Sequence, residues 1–279
     1  MTPSGTTQLG AVIGHPIRHS LSPLLYNAAF DAASVDWTFV AFDVPDGGAA
    51  AALDAMRALG IGWLSVTMPH KQAVARAVDR VSEAAAALDS VNCVVAVDGE
   101  LVGTSTDGDG FLRALADEVG FVPADRRCVV FGGGGAARAV VVALAGAGAR
   151  EVTVVNRTPD RAEQAAALAG PVGRVGSVDS VAAADLVVNA TSVGMAGGAG
   201  NDRAPFDVAA LADGTVVADL VYEPAETPLL RAARARELVA VNGLGMLVHQ
   251  AALQYEQVIG APAPVEVMAA AAAAALSAR

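Results

Sequence analysis

Arg127-Cys-Val-Val-Phe131, Gly132-Gly-Gly-Gly135 and Ala136-Ala137 follow one another without a break, and Glu151-Val-Thr-Val-Val155 lies one short helix further on. The order is strand (Cys128 to Phe131), glycine loop, helix (Ala136 to Ala147), strand, the opening of a βαβ unit. Gly132, Gly133, Gly134, Gly135 and Ala136-Ala137 fit G-x-G-x-x-A, directly after a strand and directly before a helix. Glycines there let the backbone turn tightly and approach a pyrophosphate, whose charge then meets the unpaired N–H groups at the helix N-terminus. A glycine turn without a ligand has the same letters; the complete βαβ context favours the ligand.

Where a NAD-binding unit usually ends its second strand in Asp or Glu, Val155 is followed by Asn156-Arg157-Thr158 and then Arg161. Two cations and a hydroxyl suit a 2′-phosphate, which favours NADP over NAD. The alternative is that Arg157 and Arg161 are ordinary surface residues of a helix start. Apolar runs at 185–189, 215–220 and 238–241, with helical stretches at 159–168 and 227–237, continue a mostly parallel sheet. The spacing predicts a Rossmann-like domain over 108–242.

Towards the N-terminus, β-type runs alternate with helical stretches: Gln8 to Ile13, a helix after Pro23, Trp37 to Asp43, Ala49 to Leu59, Gly62 to Thr67, and a helix beginning near Pro69. A strand pair follows, Val91 to Val97 and Leu101 to Gly103, joined by the hairpin signal Asp98-Gly99. Residues 103–110, Gly-Thr-Ser-Thr-Asp-Gly-Asp-Gly, read as a loop and a domain boundary. Residues 243–279 are helical, and the alanine run Ala269 to Ala275 predicts a packed terminal helix. The fold class is therefore α/β: a first domain over 1–107, completed by the helices of 243–279, and a doubly wound domain over 108–242.

Composition narrows the function. The chain has 279 residues, 54% hydrophobic and only 4% aromatic, enough for a core packed with small side chains. Acidic residues outnumber basic ones by 29 to 18, for a formal charge of −11, and no cluster of cations occurs, which argues against nucleic acid as a partner. The two cysteines, Cys93 and Cys128, lack C-x-x-C spacing, so neither a disulfide scaffold nor a zinc site is expected and a reducing cytoplasm fits. Met1 to Gly14 has no basic n-region, and the longest uncharged apolar run, Ala139 to Ala149, is too short for a bilayer. The two sequons, at Asn156 and Asn189, are without consequence if the chain is not secreted.

Lys71 is the only lysine in the chain. A coding bias towards arginine would normally replace a dispensable lysine, and a lysine can lose or share a proton in a buried site where an arginine essentially cannot. Its survival in Ser65-Val-Thr-Met-Pro-His-Lys71 points to proton chemistry; a solvated lysine at a helix start, where a cation opposes the dipole, is the alternative. Ser20 and Ser22 flank Leu21 before Pro23, and helix capping by Ser22 would explain one of the two. His15 and His19 have i, i+4 spacing, but Pro16 opposes a helix and no acid is close in sequence, so no metal site is expected. Asp107 reads either as a turn residue or as a functional carboxylate.

Together these stretches resemble the shikimate dehydrogenase family. They occur in the family's order over almost the whole chain: Gly14-His-Pro-Ile-Arg-His-Ser20-Leu-Ser22-Pro23, Val66-Thr67-Met-Pro-His-Lys71, Ser90-Val-Asn92, Ser105-Thr-Asp107-Gly108, the glycine loop and Asn156-Arg157-Thr158. Asn189-Ala-Thr-Ser-Val-Gly-Met195, Asp219-Leu-Val-Tyr222 with Glu226-Thr-Pro228, and Gly243-Leu-Gly-Met-Leu-Val-His-Gln250 complete the series. The resemblance implies an N-terminal substrate domain, a Rossmann domain for NADP, a reaction in the cleft between them, and interconversion of 3-dehydroshikimate and shikimate. It implies that Ser20 and Ser22 donate to the substrate carboxylate, that Thr67, Asn92, Asp107 and Gln250 hold ring hydroxyls, and that Tyr222 lies close by. Lys71 would deliver the proton to the substrate oxygen and stabilise the developing alkoxide, with Asp107 paired to it. Gly132 to Ala136 would hold the pyrophosphate, Asn156, Arg157, Thr158 and Arg161 the adenosine phosphate, and Leu220 and Gly243 would lie near the nicotinamide.

The chain departs from the family pattern at Ser65 and Ser105, where asparagine is common, and at Gly133, where alanine is frequent. The first two bear on substrate preference more than on reaction type. A sister dehydrogenase for quinate or an amino analogue of shikimate shares the Lys and Asp, and a non-catalytic sensor of the same ligand would bind without turnover. A folate-linked dehydrogenase is not expected to carry the serine pair or the Ser-Thr-Asp-Gly loop. Oligomeric state is left open, a homodimer included.

Overall fold

Leu9-Gly-Ala-Val-Ile13 has no charge and no turn former beyond Gly10, and it becomes the centre of the first strand, buried from Gly10 onward. The computed structural model describes residues 2–197 and 200–278. Within them the chain forms two compact units, one running to Thr106 and resuming at Gln250, the other Asp107–His249.

In the first unit β1 (Gln8–Gly14), α1 (Ser22–Ala33), β2 (Trp37–Asp43), α2 (Ala49–Leu59) and β3 (Trp63–Val66) alternate, because parallel pairing of β1 with β2 and β3 needs a crossover each time. α3 (Lys71–Ala75), β4 (Arg80–Val81) and α4 (Glu83–Leu88) follow, then the hairpin β5 (Cys93–Val97) and β6 (Glu100–Thr104). Asp98 and Gly99 both have positive φ, 51° and 85°, the mirror-image turn that matches the twist of a two-residue hairpin. The six-stranded sheet has the order β2-β1-β3-β5-β6-β4, with β5 antiparallel to both neighbours. β4 and α4, of two and six residues, are not expected from the sequence because elements so short show no period.

The second unit begins with α5 (Asp107–Val119), which overturns the loop expected over 103–110: residues 107–110 are the first turn of this helix. Asp107 and Asp109 suit its positive end. Gly108 is small because a Cβ would come within 2.8 Å of the Ala139 carbonyl oxygen. β7 (Arg127–Phe131), α6 (Gly135–Gly146), β8 (Glu151–Val155), α7 (Pro159–Ala167), β9 (Gly173–Val175), β10 (Leu186–Asn189), β11 (Val216–Asp219), α8 (Pro228–Ala235) and β12 (Ala240–Val241) complete it. The six strands lie in the order β12-β11-β10-β7-β8-β9, and every ladder of this sheet among the described residues is parallel. This is the doubly wound order whose switch point, between β7 and β10, faces the glycine loop. β7, β10 and β11 are valine-rich runs because both faces of the sheet are covered.

The terminal helices are α9 (Leu244–Ile259) and α10 (Val265–Ser277), and α10 packs against α1 with Met268 and Ala272 fully buried. The division between the units falls inside α9, after His249, rather than at 242/243 as the spacing predicts. Gly245 accounts for part of the shift: a Cβ there would strike the Glu118 carboxylate and Ala114, so the start of α9 lies tightly against α5. No helix among the described residues is long and apolar enough to cross a membrane.

Candidate active site

In the first unit, Gly14 ends β1 and a Cβ there would come within 2.6 Å of Thr67 Cγ2. Thr67, which follows β3, thus lies against the end of β1, from which the chain runs on to Ser20 and Ser22. Ser22 is buried and opens α1 without capping it; the cap position is Leu21 and no side-chain cap bond forms, so capping does not account for the serine. The Ser22 N–H donates instead to Ser20 Oγ at 3.3 Å. Lys71 is half-buried at the start of α3, after His70, whose Nε2 donates to the Val44 carbonyl at 2.7 Å.

Asn92, which precedes β5, and Gln250, on α9, are 158 residues apart and hydrogen-bonded, Nδ2 to Oε1 at 3.4 Å. Around them lies a buried cluster of Thr106, Gln254, Ser65 and Tyr26, of which sequence reasoning singles out only Ser65, and not its partners. Gln254 Nε2 donates to Gln250 Oε1 at 2.9 Å, and Gln254 Oε1 accepts from Ser65 Oγ at 2.5 Å and from Tyr26 OH at 3.0 Å. Burial pushes the Tyr26 phenol well above its ordinary range, so it stays a donor. The i, i+4 pair Gln250 and Gln254 on a helix otherwise rich in apolar residues is the available signal. Ser105 Oγ is buried with no hydrogen-bond partner.

His15 corrects one expectation. The parallel register sets Gly14 against Asp43, and Asp43 Oδ1 lies 2.6 Å from His15 Nδ1, so an acid does stand beside this histidine. Among the described residues no group of three metal-binding side chains forms.

In the second unit, Gly132 has φ of 123°, and a Cβ there would press on the Ala190 carbonyl at 2.8 Å. Gly133 lies against Arg161, and a Cβ there would come within 3.0 Å of its Cβ and its carbonyl oxygen, a tight fit that favours the smallest residue. Gly134 and Gly135 face open space at the start of α6, with Ala136 following: a cradle of free N–H groups with no side chain to fill it. Beyond β8, Asn156 Nδ2 donates to the Thr158 carbonyl at 3.0 Å, and Arg157, Thr158 and Arg161 are exposed at the start of α7. The cradle and the exposed cations fit a phosphorylated dinucleotide.

Asp107 is buried as the first residue of α5, and Tyr222 is half-buried in the segment after β11. Leu220 and Gly243 are brought together: a Cβ on Gly243 would collide with the Leu220 carbonyl. Gly243→Ala should therefore cost about 3 kcal/mol, because the obstacle is backbone and cannot swing aside. Denaturant unfolding checks this; a loss under half that value would show that the Leu220 segment yields.

At the ends of β10 and β11, Asp219 accepts from Asn189 Nδ2 (2.8 Å), the Val221 N–H (3.1 Å) and Thr227 Oγ1 (2.7 Å). Burial nevertheless raises its carboxyl above the usual carboxylate range, against the lowering effect of those donors. The cluster ties together the loops at the carboxyl ends of the strands, where doubly wound sheets bind ligands.

A doubly wound unit with an open glycine cradle and an α/β unit with a polar cluster at its strand ends are the parts of a two-domain, dinucleotide-linked dehydrogenase. The family model for the shikimate dehydrogenase substrate binding domain matches residues 12–94, that for shikimate/quinate 5-dehydrogenase matches 115–195, and that for the shikimate 5′-dehydrogenase C-terminal domain matches 243–273. Shikimate dehydrogenase (NADP(+)) of Moorella thermoacetica is 46% identical over 273 residues, covering 94% of this chain and 92% of its own. The structure of shikimate 5-dehydrogenase from Thermus thermophilus, in complex with NADP(H) and shikimate, has a TM-score of 0.89 at 36% identity, covering 97% of this chain and 100% of that one. Quinate dehydrogenase from Corynebacterium glutamicum, in complex with NAD, has a TM-score of 0.87 at 33% identity, covering 96% and 99%. The chain belongs to the shikimate dehydrogenase family.

Proposed function

We propose that the protein reduces 3-dehydroshikimate to shikimate with NADPH, reversibly, as a step of aromatic amino acid biosynthesis in the cytoplasm. The observation that carries this reading is the Asn92–Gln250 pair: two amides far apart in sequence, each expected to hold a ring hydroxyl, meet at one hydrogen bond. The full-length similarity to NADP-dependent shikimate dehydrogenases supports it. Two free, buried cysteines support a reducing compartment.

NADPH, when bound, supplies the hydride. The chain's residues do the rest. Ser20 and Ser22 hold the carboxylate with neutral donors, and Thr67, Asn92, Asp107 and Gln250 orient the ring, with Tyr222 beside it. Lys71 donates its proton to the ketone oxygen as charge develops there, and Asp107 orients the ammonium. Gly132, Gly133, Gly134, Gly135 and Ala136 would hold the pyrophosphate, and Leu220 and Gly243 would stand on the nicotinamide side. Asn156, Arg157, Thr158 and Arg161 would hold the 2′-phosphate, a group whose oxygens suit a guanidinium's paired N–H donors.

The test offers purified protein shikimate and, separately, quinate, each with NADP⁺ and NAD⁺, and follows cofactor reduction by absorbance. Reduction of NADP⁺ with shikimate is expected; preference for quinate, or no reduction with any pair, would overturn the reading. Arg157→Ala should raise KM for NADP⁺ about tenfold, the worth of a charge-assisted hydrogen bond, and leave KM for NAD⁺ unchanged. An equal rise for both cofactors would remove Arg157 from phosphate recognition.

A further inference from the structure

The cluster around Gln254 has a definite polarity. Three of its members are backbone groups whose roles cannot be reversed. The Asn92 carbonyl can only accept, and Gln254 Nε2 lies 3.2 Å from it, so the amide nitrogen of Gln254 must face that way and its oxygen must face Ser65 and Tyr26. The Thr106 N–H can only donate, and Asn92 Oδ1 lies 2.9 Å from it, so the amide nitrogen of Asn92 faces Gln250. The Gln250 carbonyl can only accept, at 3.0 Å from Thr106 Oγ1; Asn92 Oδ1 is a second acceptor at 3.3 Å, and with the threonine hydrogen on either of them that oxygen accepts from both amides.

Gln250 Oε1 is thus approached by two donors, Asn92 Nδ2 and Gln254 Nε2. Because both donors take Oε1, the side-chain NH₂ of Gln250 is the end of the amide that does not face them. We infer that Gln254, held by Ser65 and Tyr26, is a positioning residue that fixes the Gln250 amide so that it meets the substrate as a hydrogen-bond donor to a ring oxygen. Gln254 is 1% exposed and so acts through Gln250. Ser65 serves this lock by donating to Gln254 Oε1. The assignment rests on the proposed function.

The test is a double-substitution cycle on the full chain, read by calorimetric titration with shikimate and by steady-state kinetics. Gln254→Met keeps length and apolar bulk but removes the donor, which frees the Gln250 amide to turn over. It should weaken shikimate binding and raise its KM about tenfold, the worth of a misdirected buried hydrogen bond, with KM for NADP⁺ and kcat near wild type. On a Gln250→Ala background the same substitution should add almost nothing. Gln254→Glu, which preserves shape if the methionine variant does not fold, offers a donor only when protonated. Its shikimate KM relative to wild type should therefore fall as pH falls. Unchanged shikimate affinity in these variants, an equal loss on the Gln250→Ala background, or a pH-independent KM ratio would overturn the inference. Wild-type protein that neither binds nor oxidises shikimate would overturn the proposed function and this assignment with it.

Discussion

Lys71→Ala should lower kcat for shikimate oxidation by about 10²–10⁴-fold while the equilibrium affinity for shikimate stays close to wild type. The asymmetry follows from when the ammonium acts. Charge builds on the substrate oxygen only as the hydride moves, so the interaction is made in the transition state and largely absent from the ground-state complex. Lys71→Arg should be nearly as slow, because a guanidinium keeps a positive charge but does not give up its proton to become neutral at neutral pH. Single-turnover kinetics and calorimetric titration separate the two effects. A variant with near-normal turnover would remove Lys71 from the chemistry, and one that loses binding and turnover in proportion would make it a binding residue.

Asp219→Ala should destabilise the second unit by about 3–5 kcal/mol, since it strands buried donors that converge on one carboxylate. The Val221 N–H, Thr227 Oγ1 and Asn189 Nδ2 would all lose their acceptor. Asp219→Asn should cost far less, because the amide oxygen keeps Asn189 and Val221 while its NH₂ faces the Thr227 hydroxyl, which can accept. The two also differ in their response to pH. Burial raises the Asp219 carboxyl in the native protein above its value in the unfolded chain. Between those two values the folded form holds a proton the unfolded form has released, so this residue's contribution to stability falls as pH rises through the window and is constant above it. Asparagine does not titrate. The stability of the Asn variant relative to wild type should therefore improve from the ordinary carboxylate range upward, measured by denaturant unfolding at a series of pH values. A shift in the opposite direction would mean that the donors outweigh burial.

The legibility of the chain varies with the length of the element and the reach of its contacts. Trp37–Asp43, Ala49–Leu59 and Glu151–Val155 occur with the bounds their patterns predict, because each is long enough to show its period and is bounded by turn formers. Arg80–Val81 and Gly173–Val175 are two- and three-residue strands held by neighbours rather than by their own pattern. The stretch 103–110 misleads for a specific reason. Glycines that normally mark a loop serve in Gly108 to let α5 approach α6, a contact that local spacing does not reveal.

The sequence by itself determined the βαβ order, the glycine cradle, the missing acid after Val155 and the lone lysine, because each is read along the chain, from spacing or from a count of residue types, without knowing which distant residues meet. Only the tertiary structure decided how the Gln250 amide is held. That depends on Tyr26, Ser65, Asn92, Thr106 and Gln254, drawn from five segments, and on which ends of three amides and hydroxyls face fixed backbone groups. Hydrogen-bond polarity is a property of neighbours in space, so no stretch of chain read alone contains it.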